Sequence, residues 1–105
     1  MNGYIVVIGK GVMVSNMATI DIHTDIIDTP EGIMSTKIKV IDIIDPFGKV
    51  EKDEIVSVAF KAEDDSKFSY QCTVRQCSET RCVLVIDKLI NKYNEIIKEG
   101  RAWLV

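Results

Sequence analysis

Between residues 55 and 86 the apolar side chains recur at every second position, and this period constrains the fold more than any other feature. Val56, Val58 and Phe60 alternate with Ser57, Ala59 and Lys61. After Glu63-Asp64-Asp65-Ser66, Phe68, Tyr70, Cys72 and Val74 alternate with Ser69, Gln71, Thr73 and Arg75. Successive side chains of a strand point to opposite faces, so each run describes a strand with one apolar and one wet face, the division of an antiparallel sheet. Cys77-Ser78-Glu79-Thr80 is a polar break, and residues 82–86 form a further apolar strand.

The first half of the chain reads the same way. Ile5, Val6, Val7 and Ile8 are followed by Gly9-Lys10-Gly11 and then Val12-Met13-Val14, two β-branched runs about a glycine turn, which predicts a hairpin. From Ala18 the period is two, with Ala18, Ile20 and Ile22 on one side and Thr19, Asp21 and His23 on the other. Asp28-Thr29-Pro30-Glu31-Gly32 is a turn. Residues 33–44 are β-prone, but Ile38 and Val40 share one parity while Ile41 and Ile43 share the other. That slip means a bulge, a strand covered on both faces, or a bend between sheets. Asp45-Pro46-Phe47-Gly48 is another turn, and a charged loop occupies residues 49–54.

After residue 86 the period changes. Leu89, Ile90, Tyr93, Ile96 and Ile97 follow helical spacing, which predicts an amphipathic helix over about residues 87–99 with Asp87 as N-cap and Gly100 at its end. Burying these five side chains contributes on the order of 10 kcal/mol gross, before chain entropy, so the helix is expected to dock on the sheet. Residues 101–105, Arg-Ala-Trp-Leu-Val, then form a last strand or a lid. The fold class is mainly β with a C-terminal α-helix (α+β): six or seven strands in a small antiparallel β-barrel or sandwich, capped by one helix. At 105 residues, without repeats or linkers, the chain is one domain.

Composition excludes several classes. With 47% hydrophobic and 28% charged residues the chain is not disordered, and a net charge of -3 argues against a broad polyanion-binding surface, so nucleic acid is a disfavoured partner. No run approaches the roughly 20 apolar residues of a membrane span. The apolar run at residues 4–8 lacks a basic segment ahead of it, which reads as a cytoplasmic chain or one whose leader has been removed. In the cytoplasm Cys72, Cys77 and Cys82 stay reduced.

The residues capable of chemistry do not assemble into a recognisable motif. Gly9-Lys10-Gly11 lacks the third glycine of a dinucleotide fingerprint, since position 14 is Val, and no Gly-Lys-Ser/Thr phosphate loop is present. The three cysteines are spaced by five and, with the single His23, lack the close ligand pairs of a structural zinc site. Cys72 and Cys82 sit on apolar parities as buried thiols, a cross-strand Cys72–Cys82 disulfide being the alternative, and Cys77 is the exposed one. A triad would need His23 with Asp21 or Asp25, but His23 lies on a polar parity. Asp64-Asp65 and the Asp42/Asp45 pair read as turn acids more readily than as acid/base pairs. No enzyme, cofactor or metal site is therefore expected.

Phe68 and Tyr70 share one strand face, as in the stacking platform of an OB-type barrel, although Cys72 and Val74 on the same parity make that face core. A short barrel followed by an amphipathic helix, with the segment Glu54-Ile55-Val56-Ser57-Val58-Ala59-Phe60, resembles PilZ domains over about residues 18–99. That resemblance implies a cyclic-dinucleotide ligand held by an Arg-x-x-x-Arg pair and an Asp/Asn-x-Ser-x-x-Gly motif. Arg75, Arg81 and Arg101 are not four apart, and Asp28-Thr29-Pro30-Glu31-Gly32 is one residue short and lacks the serine, so no ligand residue carries over.

The expectation is a non-catalytic cytoplasmic binding or protein-interaction module. Its partner is another protein or a second copy, through an apolar patch at Trp103, Leu104 and Val105 or an unpaired edge strand. The alternative is a PilZ-like or OB-like barrel that binds a nucleotide or short nucleic acid.

Overall fold

The computed structural model describes residues 1–104; Val105, the last residue of the expected patch, lies outside them. Seven strands precede one helix: β1 (Asn2–Ile8), β2 (Val12–Thr29), β3 (Gly32–Ile44), β4 (Phe47–Gly48), β5 (Ile55–Ala62), β6 (Lys67–Cys77), β7 (Arg81–Ile90) and α1 (Tyr93–Leu104). They form one antiparallel sheet in the order β1-β5-β6-β7-β3-β2-β4, and a further β1–β2 pairing closes it into a ring with β4 appended to β2.

The ring explains the continuous apolar run at residues 5–8. Ile5 and Val7 point inward into the main core with Met13, Ile41, Ile43, Phe60, Val74 and Leu84. Val6 and Ile8 point outward, where Ala59 and Ile96 join them beneath α1. A strand covered on both faces has no wet parity to show. The slip in β3 has the same cause: Val40 and Ile41 are both fully buried, and neither the β2–β3 nor the β3–β7 register shifts. The irregularities lie elsewhere, at Gly3/Ile5 in the β1–β2 pairing and at Gln71/Cys72 and Val74/Gln76 in the β6–β7 pairing. Val12-Met13-Val14 and the alternation from Ala18 belong to a single strand, β2. Buried Ser15 eases the passage where β2 exchanges neighbours, donating to the Ile44 carbonyl (2.7 Å) and accepting from the Met17 amide (3.0 Å). Val50, in the charged loop before β5, is buried in the main core.

The helix is displaced from its expected span. Residues 87–90 continue β7, with Leu89 opposite Tyr70 and Ile90 opposite Ser69. Asp87 accepts a bond from the Thr73 hydroxyl (2.8 Å) instead of capping. The strand is ended by Ser69, whose hydroxyl donates to the Ile90 carbonyl (2.6 Å) and accepts the Lys92 amide (3.0 Å). Gly100 lies inside α1, and residues 101–104 are its last turn, neither strand nor lid. No helix among the described residues is long and apolar enough to cross a membrane.

Gly100 is where α1 comes closest to the sheet: a Cβ there would stand 2.7 Å from Val6 Cγ1. Alanine favours a helix over glycine by about 1 kcal/mol, whereas crowding a stiff β-branched neighbour costs about 1–3 kcal/mol. Crowding wins, so Gly100→Ala is expected to destabilise by about 1 kcal/mol. Urea unfolding followed by circular dichroism measures it; a gain in stability would contradict the docking described here.

Candidate functional site

The ring uses only part of its two longest strands. β1 pairs with β2 no further than Thr19, and β7 pairs with β3 only from Val40. Residues 21–29 of β2 and 32–39 of β3 therefore pair with each other alone, a two-stranded arm of about 30 Å at roughly 3.3 Å per residue. The arm stretches the molecule to 51 × 27 × 23 Å and its radius of gyration to 14.0 Å, against about 13 Å for an ordinary domain of this length. Its tip is the turn expected at Pro30-Glu31, with Gly32 at φ 124° and the Thr29 hydroxyl donating to the Gly32 carbonyl (2.7 Å).

Directly paired residues share a face, which sorts the arm's side chains. The face that continues the ring interior carries, from base to tip, Ile22–Lys39, Thr24–Lys37, Ile26–Ser35 and Asp28–Ile33. Ile22, Ile26 and Ile33 are 64%, 72% and 77% exposed. At the arm's base this face runs into a cavity of about 520 Å³ at the ring's open end, lined by Met1, Ile20, Phe68 and Tyr70 among others. Phe68 and Tyr70 stack at 6.2 Å between centroids and pack partly on the core, and exposed Leu89 lies opposite Tyr70. Sequence parity assigns Phe68 and Tyr70 to the core; the structure leaves them half-open at the mouth.

The arm's other face is polar near its base. Arg75 of β6 pairs with Asp25 (2.9 Å), Arg81 of β7 donates twice to Asp42, and His23 Nε2 lies 3.7 Å from the second Asp42 oxygen. The Asp25–Arg75 and His23–Asp42 contacts tie the arm's base to the ring. Donor atoms of Asp21, His23 and Asp42 lie within 4.8 Å of one another, the one such metal-competent group among the described residues. The Arg81 guanidinium already pairs with Asp42, and the Asp21 and His23 side chains are open to water. His23 has no nucleophile beside it in that group.

The remaining sequence candidates are dispersed. Lys10 of the glycine turn donates its amide to the Glu54 carboxylate, which also accepts the Glu51 amide (3.0 Å). These amides, Glu51 first, hold the Glu54 carboxyl below its usual range. Asp64 accepts the Ser66 amide (3.0 Å) and Asp65 takes a positive φ, as turn acids do. Asp45, also at positive φ, is separate from the Asp42 network, its amide bonding the Thr80 carbonyl (2.9 Å). Trp103 and Leu104 are 58% and 50% exposed on the last turn of α1.

A Cys72–Cys82 disulfide is excluded by register: Cys72 lies opposite Ile86 and Cys82 opposite Cys77, and all three thiols are free. Cys77 is half-buried, not exposed, with its sulfur 3.8 Å from Met13 Sδ. Burial pushes the Cys72 thiol up to about 12, and burial with the adjacent Cys77 thiol pushes Cys82 up as well.

Sequence reasoning missed the arm's isoleucines. Their signal was a pair of strands longer than any others in the chain, joined by a two-residue turn, with isoleucine on both parities. Compared with protein-family models, curated proteins and solved structures, the chain matches none.

The thiols give a prediction with a definite sign. Because folding raises the Cys72 pKa from 9.0 to about 12, the stability gained by keeping it protonated is complete below pH 9 and is lost as pH rises towards 12. Native alkylation near pH 8 is expected to modify Cys77 alone, and mass spectrometry after unfolding to find all three; rapid native labelling of Cys72 would contradict its burial.

Proposed function

We propose that this chain is a non-catalytic interaction module whose contact element is the β2–β3 arm, and that the partner is a second copy. The observation that carries this reading is the exposure of Ile22, Ile26 and Ile33 along one face of an arm with both edges unpaired. A two-stranded ribbon alone in water is marginally stable, and free edges invite association. Charge favours a second copy. When two of these faces are laid together antiparallel about a two-fold axis at the level of Ile26–Ser35, the Thr24–Lys37 row of each copy meets the Asp28–Ile33 row of the other, with Lys37 over Ile33 and diagonal to Asp28. The isoleucines fill the space between, and the contact closes as a dimer.

The magnitude of the association follows. Six isoleucine side chains at about 2 kcal/mol each contribute on the order of 10 kcal/mol gross, against an association cost of about 4–15 kcal/mol. The net result is reversible, concentration-dependent self-association. The same reading keeps the chain in the cytoplasm, where its thiols stay reduced. A second reading, a PilZ-like or OB-like ring that takes a nucleotide or short nucleic acid, is favoured by the stacked Phe68–Tyr70 pair beside Lys39 at the mouth.

Sedimentation equilibrium from about 1 to 200 µM tests the proposal. The wild-type chain is expected to shift from monomer to dimer across this range, and Ile26→Asp and Ile33→Asp to remain monomeric with an unchanged melting temperature. A wild-type chain that stays monomeric, or arm variants that dimerise normally, would refute it. Loss of dimer on Trp103→Ser with Leu104→Ser, but not on arm substitution, would move the interface to the helix end.

A further inference from the structure

We infer that the groove between α1 and the β5–β6 hairpin binds a small ligand bearing a di- or triphosphate. The inference starts from a local conflict. Lys61, near the end of β5, and Lys67, at the start of β6, are directly opposite in the antiparallel register and so share a face. Like charges directly opposite one another destabilise a ladder. The helix adds to the conflict. Asn94, Lys98 and Arg101 follow i, i+4, i+7 spacing on one face of α1, while Glu95 and Glu99 fall on another. All four cations, with Asn94 and Tyr93, line a single cavity of about 410 Å³. Four positive side chains converge here in a chain whose net charge is -3.

The described residues compensate little of this charge. Lys61 pairs with Asp65 at 3.5 Å, but the Asp65 side chain is 84% exposed, and such a pair contributes little. Lys67 lies over the Tyr93 ring, 5.7 Å from its centroid, a modest stabilisation at an open site. Lys67, Lys98 and Arg101 form no ion pair among the described residues. The counter-charge that the described residues do not supply is assigned to a ligand.

The cations sit on three elements, a spread that suits several anionic groups in a row better than one. Arg101 offers a planar fork for a phosphate and the lysines act as point charges. An adjoining cavity of about 310 Å³ shares Lys61, Tyr93 and Arg101 and adds Tyr4 and Asn16, leaving room for a neutral part of the ligand. Both volumes lie in the small-molecule range. The basic residues are gathered in a concavity instead of strung along the surface, and this favours a small molecule over a nucleic-acid strand.

Titration calorimetry with sodium tripolyphosphate, at fixed ionic strength, tests the assignment. Saturable binding is expected in the wild-type chain, weakened at least tenfold in Lys67→Gln and in Arg101→Gln and unchanged in Lys10→Gln, which lies outside the groove. No binding by the wild type, or equal binding by all variants, would overturn the inference. So would a single-stranded oligonucleotide that binds more tightly than tripolyphosphate and loses that binding in the same two variants, since the groove would then belong to nucleic acid.

Discussion

The rest of the structure depends on β1 pairing on both of its edges. Hydrogen bonds to β5 on one side and β2 on the other close the sheet, so Ile5 and Val7 enter a sealed core while Val6 and Ile8 become the floor for α1. Closure removes the edges that an open seven-stranded sheet would expose. It also fixes how close the helix must come, which is why position 100 has no side chain.

Closure has a consequence at the opposite end of β2. The ring consumes β2 only as far as β1 can follow it, and consumes β3 only where β7 meets it. The surplus of both strands leaves the ring as the arm, whose unpaired edges and isoleucines have no partner within one copy. The Asp25–Arg75 salt bridge and the approach of His23 to Asp42 hold the arm's base against the ring. Its outer half has only cross-strand pairing to support it.

The strands of the second half are legible in the sequence because each has one wet face and a polar turn at its end; β5 and β6 follow the alternation of Val56, Val58 and Phe60 and of Phe68 to Val74. Where both faces are covered the period vanishes, and β1 and the Val40–Ile41 step carry no parity to read. The start of the helix is illegible for another reason. Leu89 and Ile90 keep helical spacing with Tyr93, and what holds them in β7 is pairing with Tyr70 and Ser69, distant in sequence. The candidate sites follow the same rule. The apolar character of Trp103 and Leu104 is local and readable, but the arm's freedom depends on where β1 and β7 stop. The basic groove depends on a helix carrying Lys98 and Arg101 onto a hairpin that carries Lys61 and Lys67.

Two places in this fold collect groups that attract anions, and the chain treats them differently. At the Gly9-Lys10-Gly11 turn the chain supplies its own anion: Glu54 takes the Lys10 and Glu51 amides, and any side chain at position 9 would collide with that carboxylate. The niche is filled and structural. At the helix groove Asp65 pairs with Lys61 alone and does so in open water, and no other ion pair to the groove's cations occurs among the described residues. An internal carboxylate on Asn94 or Ile97 would have neutralised the groove as Glu54 neutralises the turn, yet those positions carry an amide and an apolar side chain. The turn is thus closed to an outside anion by its own chemistry, while the groove keeps its four positive charges for one.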